Sequence, residues 1–300
     1  MTTPRAAGYA AQMADDDTSI RDDLRVRPGV VNLHGYDTLR TRRSGKKGSK
    51  GKQKGKSASK SALPAREGSE LAGLQERLYA EGTRSVLLVL QGIDTAGKGG
   101  VVNHVVGLLG PEGTMITAFK QPTPEEAAHH FLWRIRRRLP TPGMVGVFDR
   151  SHYEDVLAAR VHNTVPETIW RGRYAEINEF ETQLTDAGTT VIKCFLHISY
   201  ATQRQRLLSR LDDPTKRWKF HESDLDERAF WGDYQVAFTA MLQECSTEVA
   251  PWYVIPSDDK AYRNWAIGQI LSDTLAEMNP QYPQPVLDLD ALRARLQPPH

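Results

Sequence analysis

The sequence predicts an α/β fold, a parallel sheet covered by helices on both faces. Two observations carry this. Ser85–Leu90 is an almost uninterrupted apolar run, the mark of a strand buried on both sides. Further short strand candidates, at 114–119, 145–148, 190–198 and 252–255, are separated by stretches long enough for helices. A 39% hydrophobic and 25% charged composition over 300 residues supports a sizeable core and excludes a chain that is disordered throughout.

In chain order, residues 1–66 lack periodic apolar patterning. Residues 38–66 hold eleven Lys/Arg and no acid, so the remainder of the chain is net acidic although the whole is +2. Gly45–Lys60 is a Gly/Lys/Ser run that cannot bury enough apolar surface to offset its ordering entropy. Residues 1–66 are therefore expected to be a disordered basic arm, either a solvated tail or a tether for a polyanion. The acidic body gives no reason to expect a nucleic-acid-binding globule. Leu71, Leu74, Leu78 and Tyr79 then mark a helix ahead of the first strand, and Val101–Leu109 another after it. Residues 125–139 and 170–184 each place apolar side chains at helical spacing, with Phe131, Leu132 and Ile135 in the first and Trp170, Tyr174, Ile177 and Phe180 in the second. The expected domain spans 67–275, and the proline-bearing residues 276–300 read as a tail. No apolar run approaches the length of a membrane span, the first thirty residues hold no signal-like stretch, and Cys194 and Cys245 lie far apart without metal-ligand spacing. Together these predict a cytoplasmic protein with reduced thiols and no membrane partner.

The chemistry is concentrated at two strand ends. Gly92-Ile93-Asp94-Thr95-Ala96-Gly97-Lys98 follows the first strand and leads into a helix, satisfying G-x-x-x-x-G-K in the context that gives it meaning. Gly92 and Gly97 let backbone N–H groups turn around phosphate oxygens, the helix N-terminus adds its positive end, and Lys98 supplies a point charge. The hydroxyl residue usual after the lysine, which holds Mg²⁺, is replaced by Gly99. Asp94 is placed to help hold the metal instead; its other reading is a turn cap. Val145–Phe148 ends in Asp149, an acid that in P-loop enzymes helps hold Mg²⁺ between phosphates. Arg150 follows, placed to stabilise charge on a transferring phosphoryl group.

The chain also carries Phe119-Lys120-Gln121-Pro122-Thr123, Phe131-Leu132-Trp133-Arg134, Asp149-Arg150-Ser151-His152-Tyr153-Glu154-Asp155-Val156-Leu157, Arg210-Leu211-Asp212-Asp213-Pro214-Thr215-Lys216 and Ala250-Pro251-Trp252-Tyr253. With the glycine loop, these collinear motifs resemble the second family of polyphosphate kinases, from Leu74 to about Ile270. The resemblance implies a P-loop kinase-like three-layer α/β/α core with a helical lid over about 203–235. It implies Mg²⁺, with Mn²⁺ as an alternative, and reversible transfer between inorganic polyphosphate and adenine or guanine nucleotides, in an assembly of identical chains. Carried over by position, Asp94 and Asp149 are metal-site acids. Lys98, Arg150 and Arg210 grip phosphates; Gly92, Gly97, Gly99 and Lys120 bind substrate; Arg134 reaches the acceptor; Lys216 and Lys219 line the polymer channel. The Ser-His-Tyr-Glu-Asp-Val-Leu stretch is similar to that of the subgroup accepting both AMP and ADP, and Glu154 is the residue expected to discriminate the acceptor's phosphorylation state. Two departures stand out: His130 occupies the position expected to hold Asp before Phe-Leu-Trp-Arg, and a lysine-rich arm replaces a more mixed N-terminal segment.

Arg136, Arg137, Arg138 and Arg217 read as solvated charges, the histidines as satisfied or exposed, and Trp218, Phe220 and Trp231 as packing within the lid. Two rival functions share parts of this pattern: an ATP-dependent nucleoside-monophosphate kinase of the thymidylate kinase type, and a non-catalytic polyphosphate binder working through the lysine arm.

Overall fold

A computed structural model describes residues 19–41 and 63–296. Its centre is a five-stranded, all-parallel sheet in the order β2-β3-β1-β4-β5, with β1 at Ser85–Gln91, β2 at Thr114–Ala118, β3 at Val145–Asp149, β4 at Thr189–His197 and β5 at Trp252–Pro256. Each expected strand is present to within about a residue at either end. Every residue of β1 is buried, as an uninterrupted apolar run requires when both sheet faces are covered.

Around it run α1 (Ile20–Leu24), α2 (Ala65–Glu81), α3 (Lys98–His104), α4 (Pro124–Ala127), α5 (Trp133–Arg136), α6 (Ala158–Val161), α7 (Glu167–Asp186), α8 (Tyr200–Asp212), α9 (Ser223–Ala229), α10 (Trp231–Cys245), α11 (Lys260–Met278) and α12 (Leu289–Arg295). Helices α2, α3 and α11 pack together as one group, and α6, α7 and α10 as another. On α7 the expected apolar stripe of Trp170, Tyr174, Ile177, Phe180 and Leu184 is buried. Among the described residues, no helix is long and apolar enough to cross a membrane.

Three expectations change. The single helix over 125–139 is two short helices, α4 and α5. Thr123 and Glu126 close a capping box that starts α4. His130 Nδ1 then accepts from the Leu132 N–H at 3.4 Å and the His130 carbonyl from Trp133 N–H, so a polar side chain restarts the helix instead of letting it continue. The second change is at the N-terminus. Residues 19–41 are not a disordered arm but a strap: Leu24, Val26, Val31 and Leu33 are buried, Val26 N–H donates to Trp252 O, and Arg25 bridges antiparallel to Tyr253. The buried side chains form two short i, i+2 pairs, and the strap packs on β5, α11 and α10. The expected low-complexity run Gly45–Lys60 lies outside the described residues. Third, α11 continues past the expected boundary at 275 and ends on Asn279 in the left-handed conformation.

Beneath β4 lies a buried polar knot. Lys193 Nζ donates to Glu181 Oε2 at 2.5 Å, to the Cys245 carbonyl at 2.7 Å and to Tyr153 OH at 2.9 Å; Tyr153 OH in turn donates to Glu181 Oε1 at 2.8 Å. His152 Nε2 lies 3.2 Å from the same carboxylate, and Lys193, Glu181, Tyr153 and His152 are all buried. Burial pushes the Glu181 carboxyl up, but Lys193 and then His152 outweigh it and hold it below the ordinary glutamate range. This knot pins the segment after β3 to the α7–β4 unit. Lys193→Met leaves Glu181 buried without its cation and should lower unfolding free energy by about 3–5 kcal/mol in urea titration. Because the folded Glu181 pKa is lowered, its contribution is full above the unfolded value and is lost as pH falls through the folded one. The gap between wild type and Glu181→Gln should therefore close on acidification below about pH 4.

Candidate active site

The parallel register pairs Leu90 of β1 with Asp149 of β3, so the loop leaving β1 and the acid ending β3 emerge side by side at the carboxyl edge of the sheet. Gly92 has φ 153°, and a Cβ there would stand 2.8 Å from Leu196 O; only glycine lets the loop turn so close to β4. Gly97 has φ 114°, and a Cβ there would meet Arg263 Nη1 at 1.9 Å. Thr95, between them, takes a left-handed φ of 69° without being glycine. Lys98 opens α3 and is buried, its Nζ donating to Gly92 O at 2.7 Å, which closes the loop on itself. Burial and then the nearby Arg150 lower its pKa.

Arg150 also has a left-handed φ, 64°. Its N–H extends the ladder to Leu90 O at 3.1 Å, and its Nη2 donates to Asp94 Oδ1 at 2.7 Å. Asp94 is thus bound across to the neighbouring strand's end and does not cap its own turn. Burial pushes the Asp94 carboxyl up, yet Lys98 and Arg150 together hold it below the ordinary aspartate range. At Glu154 burial dominates and raises the carboxyl in spite of Arg150 and Lys98.

A cleft of about 860 Å³ opens over this edge. Asp94, Gly97, Lys98, Gly99, Lys120, Asp149, Arg150, Arg210, Lys216 and Lys219 all line it. Gly92 forms the root of the loop instead. Glu154 is not among the residues that line the cleft. Arg134 does not reach the cleft: it is buried over Phe119, donates to Lys120 O at 2.8 Å, and has Asp155 and Glu126 at 3.8 and 3.9 Å, so its charge is spent holding Lys120's backbone. On the lid, Arg210 Nη1 donates to Lys219 O at 3.2 Å and to Asp224 Oδ2 at 3.4 Å, while Lys216 pairs with Asp213. Trp218, expected to pack inside the lid, is 73% exposed, its indole N–H turned back to Thr215 O. His130 pairs with Glu176 on the surface at 2.8 Å.

Three cleft cations were not singled out from the sequence. Arg206 and Lys260 line the wall, and Arg263, 2% exposed, lies against Gly97 and Gly100 with Nη1 3.4 Å from Ala96 O. Burial, then Arg206, brings the Arg263 pKa down to about 10. Arg206 had a signal: it sits four residues before Arg210 and shares its helix face. Nothing in the sequence separates Arg263 or Lys260 from a solvated charge. In all, nine Lys/Arg and two carboxylates line the cleft.

A glycine loop at a strand–helix turn, an acid at the adjacent strand's end and cations lining the cleft give an α/β fold with an anion-attracting site at the carboxyl edge of its sheet. A family model described as polyphosphate kinase 2 matches residues 54–283. The chain is 51% identical over 215 residues to an AMP/ADP-polyphosphate phosphotransferase of Meiothermus ruber, covering 72% of this chain and 80% of that protein. It is 42% identical over 226 residues to an ADP-polyphosphate phosphotransferase of Rhodopseudomonas palustris, covering 71% and 78%. The crystal structure of polyphosphate kinase 2 from Arthrobacter aurescens TC1 superposes with a TM-score of 0.85 at 46% identity, over 94% of this chain and 98% of that one. The chain belongs to the polyphosphate kinase 2 family and is an enzyme of the kinase type.

The loop makes a direct prediction. Gly97→Ala, at a left-handed φ and against Arg263, should lower stability by about 1–3 kcal/mol in thermal unfolding. Gly99→Ala, where a Cβ would meet nothing within 4 Å, should not lower it.

Proposed function

We propose that the chain moves a terminal phosphoryl group reversibly between inorganic polyphosphate and AMP or ADP, with guanine nucleotides as a secondary acceptor class. The observation that carries this reading is the cleft's charge: nine cations against two acids, running from the glycine loop to the lid. So many positive walls suit a chain of phosphates better than a single nucleoside triphosphate, whose base and ribose need apolar and neutral contacts. The relatives named for AMP/ADP and ADP, and a GDP-polyphosphate phosphotransferase of Pseudomonas aeruginosa that is 35% identical over 191 residues, support the acceptor classes.

In this reading the loop N–H groups and Lys98 hold the donor phosphates. Arg150 lines the cleft beside Asp94, held by it at 2.7 Å, where it stabilises the equatorial oxygens of the phosphoryl group in flight. The acceptor oxygen is already ionised, so no general base is required. Asp94 and Asp149 fit a divalent cation, Mg²⁺ or Mn²⁺. Both are hard oxygen ligands at one strand edge, and no group of three or more His, Cys, Asp or Glu is gathered among the described residues. That sparse set suits Mg²⁺, which takes one or two carboxylates and fills its shell with phosphate oxygens and water. When bound, the ion would neutralise charge on the phosphate oxygens.

The test supplies ADP, Mg²⁺ and long-chain polyphosphate as the sole donor. ATP should accumulate, chelation by EDTA should stop it, and Lys98→Ala and Asp94→Asn should each reduce turnover by about 10²-fold or more. Wild-type protein that makes no ATP, or variants that turn over like wild type, would overturn the reading.

A further inference from the structure

Three successive carbonyls of the phosphate loop point at one helix. Gln203 Nε2 donates to Asp94 O at 3.5 Å, and Arg206 Nη1 donates to Thr95 O at 2.8 Å and to Ala96 O at 3.0 Å. Both side chains come from α8, the first helix of the lid. The other end of the same guanidinium, Nη2, donates to Ser257 O at 2.6 Å and to Asp258 O at 3.1 Å, in the turn between β5 and α11. Among the described residues, Arg206 forms no ion pair with a carboxylate. Its fork is filled by four backbone oxygens from two separate loops. A lysine has the charge but not the geometry for such a set.

The loop needs this support. An anion-binding concavity forms when successive N–H groups converge, which requires a left-handed residue in the run. Here that residue is Thr95, φ 69°, where glycine would be cheaper, and its buried hydroxyl has no hydrogen-bond partner. Both features oppose the observed conformation. Turning the carbonyls of Thr95 and Ala96 outward onto Arg206 fixes the opposite sense for the N–H groups of the same two peptides: that of Ala96 closes the loop onto Ile93 O at 3.0 Å, and that of Gly97, a residue lining the cleft, is turned away from Arg206. One helical turn beyond Arg206, on the same face, α8 carries Arg210 into that cleft.

We propose that Arg206 is a positioning residue: it templates the phosphate loop by holding the carbonyls of Thr95 and Ala96, and ties that loop to the lid helix that presents Arg210. It acts through the loop and does not itself bind the transferring group. The consequence is selective for the phosphate chain held by the loop and rests on the donor assignment made above.

Steady-state kinetics with polyphosphate and ADP test it on wild type, Arg206→Ala, Arg206→Lys, Thr95→Gly and the double variant Arg206→Ala/Thr95→Gly. Loss of Arg206 should lower kcat/KM for polyphosphate by about 10²-fold, as expected for a misplaced binding loop, while the KM for ADP moves less than about twofold. Arg206→Lys should recover little. The double variant should regain about tenfold over Arg206→Ala, because glycine takes the left-handed conformation unaided. Equal changes in both KM values, wild-type kinetics in Arg206→Ala, or strictly additive losses in the double variant would overturn the proposal. Amide hydrogen exchange gives a reading independent of turnover. Exchange at Ala96 and Val101, whose N–H groups bond within the loop to Ile93 O and Gly97 O, should quicken in Arg206→Ala while β4 stays protected. Unchanged loop exchange sinks the proposal even if polyphosphate proves not to be the donor, whereas a wild type silent on polyphosphate with quickened loop exchange in Arg206→Ala sinks only the donor assignment.

Discussion

The pairing of β1 with β3 is the constraint on which the site rests. Parallel strands can neighbour one another only when a long crossover separates them in sequence, and here β2 and its helices occupy that crossover. The register that sets Leu90 beside Asp149 brings residues 94 and 150 within a hydrogen bond of each other. A slip of one residue would reverse the side-chain directions of β3 and send Asp149 to the other face. The buried side chains on both faces, Val86, Leu88, Val145 and Val147 on one and Leu87, Val89 and Phe148 on the other, oppose it.

Crowding cations at one edge has an electrostatic cost that the fold offsets in two ways. Some are met by carboxylates, as Arg150 is by Asp94 and Arg210 by Asp224. Others are met by backbone oxygens: Lys98 by Gly92, Arg206 by four carbonyls, Arg263 by Ala96 and the Asn264 side chain. Of the remainder, Lys219 Nζ lies over the Trp218 ring at 4.9 Å, while Lys120 and Lys260 line the cleft and pair with no carboxylate among the described residues. Neutral dipoles orient a cation without cancelling its field, so the cleft stays attractive to anions before any arrives.

The sequence made legible what is local or periodic. β1 was readable because its apolar run has no polar interruption, the loop because its glycines and lysine keep fixed spacing, and Asp149 because it ends an apolar run. What escaped depends on tertiary direction. Arg206, Lys260 and Arg263 are single cations on amphipathic helices, and only the packing of α8 and α11 decides whether they face water or the loop. Arg134 carried the family motif yet is turned to Lys120's backbone, because motif membership does not reveal which way a side chain points. The break at His130 was hidden by apolar spacing that suits two short helices as well as one long one. The strap at 19–41 was missed because its buried residues come as two isolated i, i+2 pairs, too short to read as a strand, and dock on β5 and α11, more than two hundred residues away.

That strap reaches further than its four apolar anchors. Thr38 Oγ1 donates to Asp258 Oδ2, and the Asp258 N–H to Thr38 O, while Asp258 Oδ1 receives the Ser199 N–H at the start of α8. Asp258 O is also one of the oxygens held by Arg206. An excision that trims the chain to its kinase core by cutting at residue 66 would therefore remove a brace from the root of the lid and uncover the edge of β5. A shortened protein keeping its architecture should retain everything from Ser19 onward, and a sluggish one cut later would be reporting the loss of that brace.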